Sequence, residues 1–487
     1  MLFLVAASTV QSQADEDASR TTPLPPSEAI KKFVVTPGVR VELVAAEPAV
    51  IDPVEIRFDE RGRMWVVEMR GYPDGPAEGE RPQSRIRVLE DRDGDGFFET
   101  AHTFADGLLL PTGLQPWREG VIVTMADRVV YLHRETGWET DLATASTPPK
   151  EELWLAGFAE QNEQLRANHP RLAPDGHVYV ANGLRSGSVV DHRGDSPTEP
   201  LEIRGRDVRF DPNGGPLEAM SGPGQFGMTF DEFGRRFICS NRNPLMHVVL
   251  EGEPTRRNPL FALPATLHDV AAAGEASRVY ALTEAWTTSM MHAGQFTAAC
   301  GVHLYRGNAL PEPFHSKAFV CEPTGSLVRC ELMEPSGGTF LSHPEREKAE
   351  FLASRDPWFR PVNLETGPDG ALYIVDIHRA VIEHPDFMPE ELRTRRDLTR
   401  GNNAGRIYRV VAADRPSPSP QVDLSSRSPD ELVAALDDDN RCVRETVFRL
   451  LYENDADSAQ SALAQQIRTA RHPEGRAWSL WTLAAFG

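Results

Sequence analysis

Pro368-Asp369-Gly370-Ala371-Leu372-Tyr373-Ile374-Val375 is the stretch on which the reading of this chain turns. In such a segment Asp caps backbone donors and Gly takes φ > 0, making a tight hairpin turn, and the apolar run after it is a buried strand. The arrangement recurs as Phe58-Asp59-Glu60-Arg61-Gly62-Arg63-Met64-Trp65-Val66-Val67, as Pro174-Asp175-Gly176-His177-Val178-Tyr179-Val180, and as Phe230-Asp231-Glu232-Phe233-Gly234-Arg235-Arg236-Phe237-Ile238. Two weaker strand pairs, Gly120–Val123 with Val129–Leu132 and Ala318–Cys321 with Ser326–Val328, bring the number to six. Short strands between Gly, Asp and Pro turns, self-similar at blade-like intervals, predict a mainly β fold: a six-bladed β-propeller over residues 35–412. The turn glycines Gly62, Gly176, Gly234 and Gly370 are unevenly spaced. Long insertions therefore fall in the blade connections, above all between Glu251 and Cys300, and loops of that kind carry function.

After Val411 the composition changes. Pro416-Ser417-Pro418-Ser419-Pro420 marks a stiff linker over 413–427, and Ser428-Pro429-Asp430-Glu431 reads as an N-cap, a first-turn Pro and a capping-box Glu. Leu432, Val433 and Leu436, then Val443, Val447, Leu450 and Leu451, then Leu480, Trp481 and Leu483 recur at helical spacing. Residues 428–487 are expected to be two or three amphipathic helices stacked as in HEAT repeats, either an incomplete solenoid or helices docked on the propeller. At the other end, the apolar Met1–Val10 followed by Ser12-Gln13-Ala14 reads as a signal peptide over 1–14, so the protein is expected to be exported, periplasmic or associated with the cell envelope. No stretch is apolar enough to span a membrane.

The chain carries 72 Asp and Glu against 51 Lys and Arg, a net charge of -21. Phosphate backbones are repelled by such a surface, which argues against a nucleic-acid partner. Five scattered cysteines (Cys239, Cys300, Cys321, Cys330, Cys442) form no disulfide scaffold, and without any CxxCH the chain holds no covalent c-type haem.

Val44-Ala45-Ala46-Glu47-Pro48, Phe226-Gly227-Met228-Thr229-Phe230-Asp231, Cys239-Ser240-Asn241-Arg242-Asn243, Gly294–Gly301 and Asp356-Pro357-Trp358-Phe359-Arg360-Pro361-Val362-Asn363 resemble the propellers of the bacterial PVC-type haem-binding, or membrane-bound dehydrogenase, proteins. The resemblance runs from about residue 35 to 487. It implies a dehydrogenase-like propeller followed by HEAT repeats and a cytochrome c domain; this chain departs in having no haem motif, so electrons would pass to a separate acceptor such as a cytochrome c. Asn168-His169-Pro170-Arg171-Leu172-Ala173-Pro174-Asp175-Gly176 is also similar to the segment of soluble quinoprotein sugar dehydrogenases in which a His serves as general base. That similarity implies a PQQ-like quinone cofactor and a sugar-like substrate.

Candidate catalytic residues follow. A neutral His169 near the channel suits removal of a hydroxyl proton, and Arg242 offers a guanidinium to developing negative charge. Asp376–Pro385 is the densest polar cluster, with Arg379, Glu383 and His384 as further candidates and a network closing the ring of blades as the alternative. Arg171, Trp358 and Arg360 are cofactor-binding candidates near the same mouth. In Asp91-Arg92-Asp93-Gly94-Asp95-Gly96-Phe97-Phe98-Glu99, alternate carboxylates and a bend glycine match the first part of a calcium loop, giving Asp91, Asp93, Asp95 and Glu99 as metal ligands, with a turn needing no ion as the alternative. Three functional readings remain open at this point: an extracytoplasmic oxidoreductase acting on sugar-like alcohols, a non-catalytic binding platform, and a calcium-dependent lactonase or esterase.

Overall fold

A computed structural model of the chain describes residues 22–134, 147–159, 164–252, 257–258, 260–261, 263–284, 292–382, 400–419, 422–454 and 457–486. The four Asp-Gly segments form the turns their composition dictates. Gly62, Gly176, Gly234 and Gly370 lie at φ of 74°, 80°, 78° and 75°, a region that Cβ-bearing residues enter at a cost. The aspartates cap the turns as well: Asp59 accepts from the N–H of Arg63 (3.0 Å), Asp231 from that of Arg235 (3.0 Å), and Asp369 from that of Ala371 (3.1 Å).

Each turn joins the innermost strand of a blade to its neighbour, and six antiparallel sheets result. The innermost strands are Pro53–Phe58, Gly113–Trp117, Asn168–Leu172, Met228–Phe230, Cys300–Leu304 and Pro361–Thr366, in blades 1 to 6. They touch one another in that order, and the sixth touches the first. The fold is a six-bladed propeller. Val39–Ala46 supplies the outer strand of blade 6 by pairing with Arg406–Ala412, and Phe33–Val35 pairs with Leu352–Ser354 at the edge of blade 5. The beginning of the chain thus closes the ring on strands from its far side, burying edges that would otherwise seek partners.

Four helices follow the propeller: α1 (Pro429–Ala435), α2 (Arg441–Glu453), α3 (Gln460–Thr469) and α4 (Pro473–Ala485). Ser428 and Glu431 form the capping box at the start of α1. The helices dock on the propeller face where the inner hairpins turn, and they touch that end of every blade. Arg449 pairs with Glu60 (2.6 Å), the Arg118 N–H donates to Glu453 (2.7 Å), and Tyr452 lies against Gly176. Arg444 pairs with Glu232 (2.6 Å), the Arg441 N–H donates to the Arg306 carbonyl (3.0 Å), and Asn440 donates to the carbonyls of Gly367 and Pro368 (2.9 and 3.0 Å). One apolar core runs from Trp117, Leu172 and Phe210 of the blades into Leu436, Val447, Phe448, Leu451 and Trp478 of the helices. Each such side chain, fully buried, contributes about 1.5–3 kcal/mol. The helical segment is therefore bonded to the propeller throughout and closes one end of its channel. No helix among the described residues is long and apolar enough to cross a membrane.

Glu232 is the electrostatic anchor of this docking. It is fully buried, receives Arg444 and the Trp478 indole N–H, and is held below the usual carboxylate range by Arg444 and Arg441 although burial alone would raise it. Glu232→Ala leaves a buried guanidinium without its charge partner, so a loss of about 3–5 kcal/mol is expected in denaturant unfolding. Arg471→Ala, which removes the 75% exposed partner of Asp437, should change stability by less than about 0.5 kcal/mol. Equal effects of the two substitutions would show that docking does not depend on the buried pair.

Candidate functional site

Residues two apart on a strand face the same way, so each inner strand presents two residues in succession down the channel. In blades 1 to 6 these pairs are Glu55/Arg57, Gly113/Gln115, His169/Arg171, Gly227/Thr229, Gly301/His303 and Asn363/Glu365. The first members form an upper ring: a Cβ on Gly113 would lie 2.5 Å from a Glu55 carboxylate oxygen and 2.9 Å from the His169 nitrogen, and one on Gly301 2.7 Å from the Asn363 Cα. At Gly113 and Gly301 neighbouring groups already fill the place of a Cβ, so glycine there lets the inner strands approach closely. The second members form a lower ring in which Arg57 and Arg171 both donate to Glu365 (2.5 and 2.7 Å). Pairing shifts register beside Glu55, His169, Gly301 and Asn363, irregularities of the kind that re-aim side chains near functional sites.

Above the upper ring lies a cavity of about 520 Å³, opening on the face opposite the helices. Its wall is mixed. Met69, Leu165, Phe226, Ile377 and Ile382 supply apolar surface, and Tyr72, Gln164, Asn168, Gln225, Asn241 and Asn363 supply hydroxyl and amide groups. Glu55 is the one carboxylate among the described lining residues, against the guanidinium groups of Arg166 and Arg242. Volume and composition are those of a small-molecule site.

His169 sits at the cavity floor, 4% exposed and at φ 53°. A left-handed conformation in a residue with a Cβ is a strain that functional sites retain. Its Nδ1 lies 3.4 Å from Glu55, and its Nε2 lies 3.3 Å from Arg57. Burial lowers its pKa, the charges of Arg57 and Arg171 act in the same direction, and Glu55 opposes them. The imidazole is neutral at pH 7. Arg242 lines the same cavity and donates to the Gln295 side chain (2.9 Å), while its Nε is buried with no hydrogen-bond partner.

The remaining candidates lie elsewhere. Arg171, Trp358, Arg360 and Arg379 do not line the cavity. Arg171 belongs to the lower ring; Arg360 donates to the carbonyls of Pro323 and Ala380 (both 2.8 Å); Trp358 is buried beside the His378 ring. Arg379 binds Asp52 through two nitrogens (2.7 and 2.8 Å), tying blade 6 to blade 1. Glu383 and His384 lie outside the described residues. In the acidic turn, ligand oxygens of Asp91, Asp93 and Glu99 lie within 4.8 Å of one another. Asp95 is not one of that group and accepts from the Phe97 N–H (2.7 Å). The cysteines are all free, and Cys300 faces Cys321 across blade 5.

Over residues 25–414 the sequence matches a family described as a domain of unknown function, DUF7133. The chain belongs to that family. No curated protein matches it. Solved structures similar to this DUF7133 chain include a Thermus thermophilus protein assigned as an oxidoreductase (glucose dehydrogenase), with 16% identity and a TM-score of 0.45 over 77% of this chain and 100% of its own. An iodide structure of the carbohydrate-active enzyme family AA12 protein of Trichoderma reesei shows 11% identity and a TM-score of 0.41, over 78% and 98%. The PQQ-bound aldose sugar dehydrogenase of Streptomyces coelicolor shows 12% identity and a TM-score of 0.39, over 77% and 100%.

Several groups of the DUF7133 site escape a motif search: Glu55, Arg57, Asn363 and Glu365 among them. A signal was nonetheless present. Glu55-Ile56-Arg57, His169-Pro170-Arg171 and Asn363-Leu364-Glu365 each end two or four residues before a turn aspartate, which is where a period of two places channel-facing side chains.

One wall of the cavity is pH-sensitive. The N–H groups of Thr297 and Ala298, both cavity residues, donate to the buried Glu322 (2.9 and 3.0 Å), whose carboxyl is pushed up to about 7 by burial despite those bonds. Its folded pKa exceeds the usual value near 4.5, so the protonated group adds stability that is full below about pH 4.5 and is lost as pH rises through about 7. Glu322→Gln, fixed in the neutral form, should therefore gain melting temperature relative to wild type between pH 5 and 8. A difference that does not grow with pH would rule out titration of Glu322 in this window.

Proposed function

We propose that the chain is an extracytoplasmic oxidoreductase that binds a sugar-like alcohol in the axial cavity and removes its hydroxyl proton with His169. The position of a neutral, conformationally strained His169 between Glu55 and Arg57 on the cavity floor carries this reading. Oxidation of an alcohol releases two electrons, and a quinone-type cofactor, when bound, supplies the two-electron acceptor. The donor set fits an acidic quinone: Arg242 and Arg166 face the cavity, and the buried Arg242 Nε has no hydrogen-bond partner among the described residues. Arg242 and Arg166 would hold its carboxylates, with the amides of Asn241, Gln225 and Asn363 accepting or donating around them. An onward electron acceptor of the cytochrome c class is in keeping with the haem-binding proteins that the sequence resembles.

The residues divide the work as follows. Nε2 of His169 exchanges its long contact with Arg57 for the substrate hydroxyl and takes the proton. Nδ1–H then donates to Glu55, whose carboxylate stabilises the imidazolium. The ordinary disadvantage of a lowered pKa, a weaker base, is offset by full availability of the neutral form at pH 7.

Dye-linked oxidation of sugars and polyols, with and without added pyrroloquinoline quinone, tests the proposal. His169→Ala should lose about 10²- to 10⁴-fold in rate while keeping its melting temperature within a few degrees of wild type. Full activity in that variant, or no oxidation of any alcohol by the wild type, would overturn it and favour a propeller that binds without catalysing.

A calcium ion is proposed at Asp91, Asp93 and Glu99, whose clustered oxygens suit a hard cation and whose turn enters the outer strand of blade 1. An ion bound by the native state alone raises stability by mass action. Chelation should lower the melting temperature and added calcium restore it, with Asp91→Asn abolishing the response; an unchanged melting curve would eliminate the site.

A further inference from the structure

The ions that floor the cavity do not end within the propeller. Glu55 and Arg57 pair at 2.6 Å, Arg57 donates to Glu365 at 2.5 Å, and Arg171 donates to the same Glu365 oxygen at 2.7 Å. Arg171 also donates to Glu445 at 2.9 Å, and Glu445 accepts from Arg441 at 2.7 Å. Glu445 and Arg441 lie on α2, outside the blades. The series alternates in sign from the histidine contact to the helix, and its members in the blades are buried.

Such a series transmits a change at one end to the other, because each ion is held by two partners and loosening one tightens the other. Glu365 is the shared element: one of its oxygens receives both Arg57 and Arg171. The stronger the hold of Glu445 on Arg171, the more of Glu365 is left for Arg57. The hold of Glu365 on Arg57 in turn decides how closely that guanidinium presses on His169 Nε2.

We propose that Glu445 is a positioning residue for His169, acting from the helical segment through Arg171, Glu365 and Arg57. This rests on the reading of His169 as the working group of the cavity, but its first test needs no activity. The groups whose charge bears on His169 are Glu55, Arg57 and Arg171; Glu445 reaches it by moving the last two. Removing the negative charge at Glu445 leaves the series with an excess of positive charge, which lowers the proton affinity of His169. Removing the positive charge of Arg441 does the opposite.

Nitrogen-15 NMR of histidine-labelled full-length protein at pH 7, with the His169 signals assigned through His169→Gln, reads both ring nitrogens. Glu445→Gln should shift the Nε2 resonance of His169, and Arg441→Gln should shift it in the opposite direction, while Glu445→Asp restores the wild-type position. Where alcohol oxidation is measurable, the acid limb of the kcat/KM profile should move down by roughly half a pH unit in Glu445→Gln, the order expected for one charge removed beyond intervening ions at an effective dielectric constant near 20. His169 resonances that stay fixed in folded Glu445→Gln and Arg441→Gln, or that move the same way in both, overturn the proposal. An inactive wild type whose His169 signals respond with opposite signs would leave the coupling standing and remove only the oxidoreductase reading.

Discussion

Two guanidinium groups enclosed in the channel of a propeller set the constraint from which the rest of the structure follows. Arg57 and Arg171 have left water, and an unpaired buried cation costs several kcal/mol. Glu55, Glu365 and Glu445 answer them. The result is mutual: Glu365 is held far below the usual carboxylate range by the two arginines although burial would raise it, and Arg171 is held well above the usual arginine value by its carboxylates although burial would lower it. Because one of these partners comes from α2, the channel floor is complete only with the helices in place. A filled floor makes the cavity above it one-ended, so a ligand has one way in and one chemical surface at the bottom.

That surface is laid out by the period of two. The upper residues of five blades meet the cavity and the lower ones meet the floor, and the sequence assigns small or polar groups to the first layer and charged or hydroxyl-bearing groups to most of the second. Gly113 and Gly301 let neighbouring groups pack where a Cβ would stand, while Glu55, His169 and Asn363 supply the polar side chains of that layer. The register shifts beside these positions bend the strands where the side chains must turn inward, and His169 adopts its left-handed φ at such a shift. Backbone irregularity and chemical function thus coincide, as they do where strain is retained for use.

The fold was legible because its turns are local. An Asp and a Gly within a few residues of an apolar run specify a hairpin without reference to the rest of the chain, and Asp59, Asp175, Asp231 and Asp369 were sufficient to reveal four blades. His169 and Arg242 were legible as candidates, one from a resemblance and one from its place at a strand end, and both line the cavity. Arg171, Trp358, Arg360 and Arg379 illustrate the limit. Their types and positions are those of site residues, but whether a guanidinium faces a cavity or a carboxylate depends on partners hundreds of residues away, such as Asp52 for Arg379 and Glu445 for Arg171. Asp95 shows the same limit at short range: alternation predicts three inward carboxylates, and the structure gathers Asp91 and Asp93 with Glu99 instead.

The helical segment poses the same question from the other side. An amphipathic pattern in Val443, Val447, Leu450 and Leu451 says that α2 buries one stripe, and apolar contact alone would tolerate sliding of the helix along the hairpins. Arg441, Arg444 and Arg449 remove that freedom. Their guanidinium groups reach two blades: Arg441 the Phe230 carbonyl and Arg444 the Glu232 carboxylate of blade 4, and Arg449 the Glu60 carboxylate of blade 1, while the Arg441 N–H adds the Arg306 carbonyl of blade 5. Arg444 and Arg449 meet Glu232 and Glu60 in this docking position, and a displaced helix would take buried guanidinium groups from those carboxylates at a cost of several kcal/mol. The propeller turns therefore serve twice, closing their own hairpins through Asp and Gly and presenting Glu60 and Glu232 as the fixed points on which the helices, and with them Glu445 under the channel floor, are set.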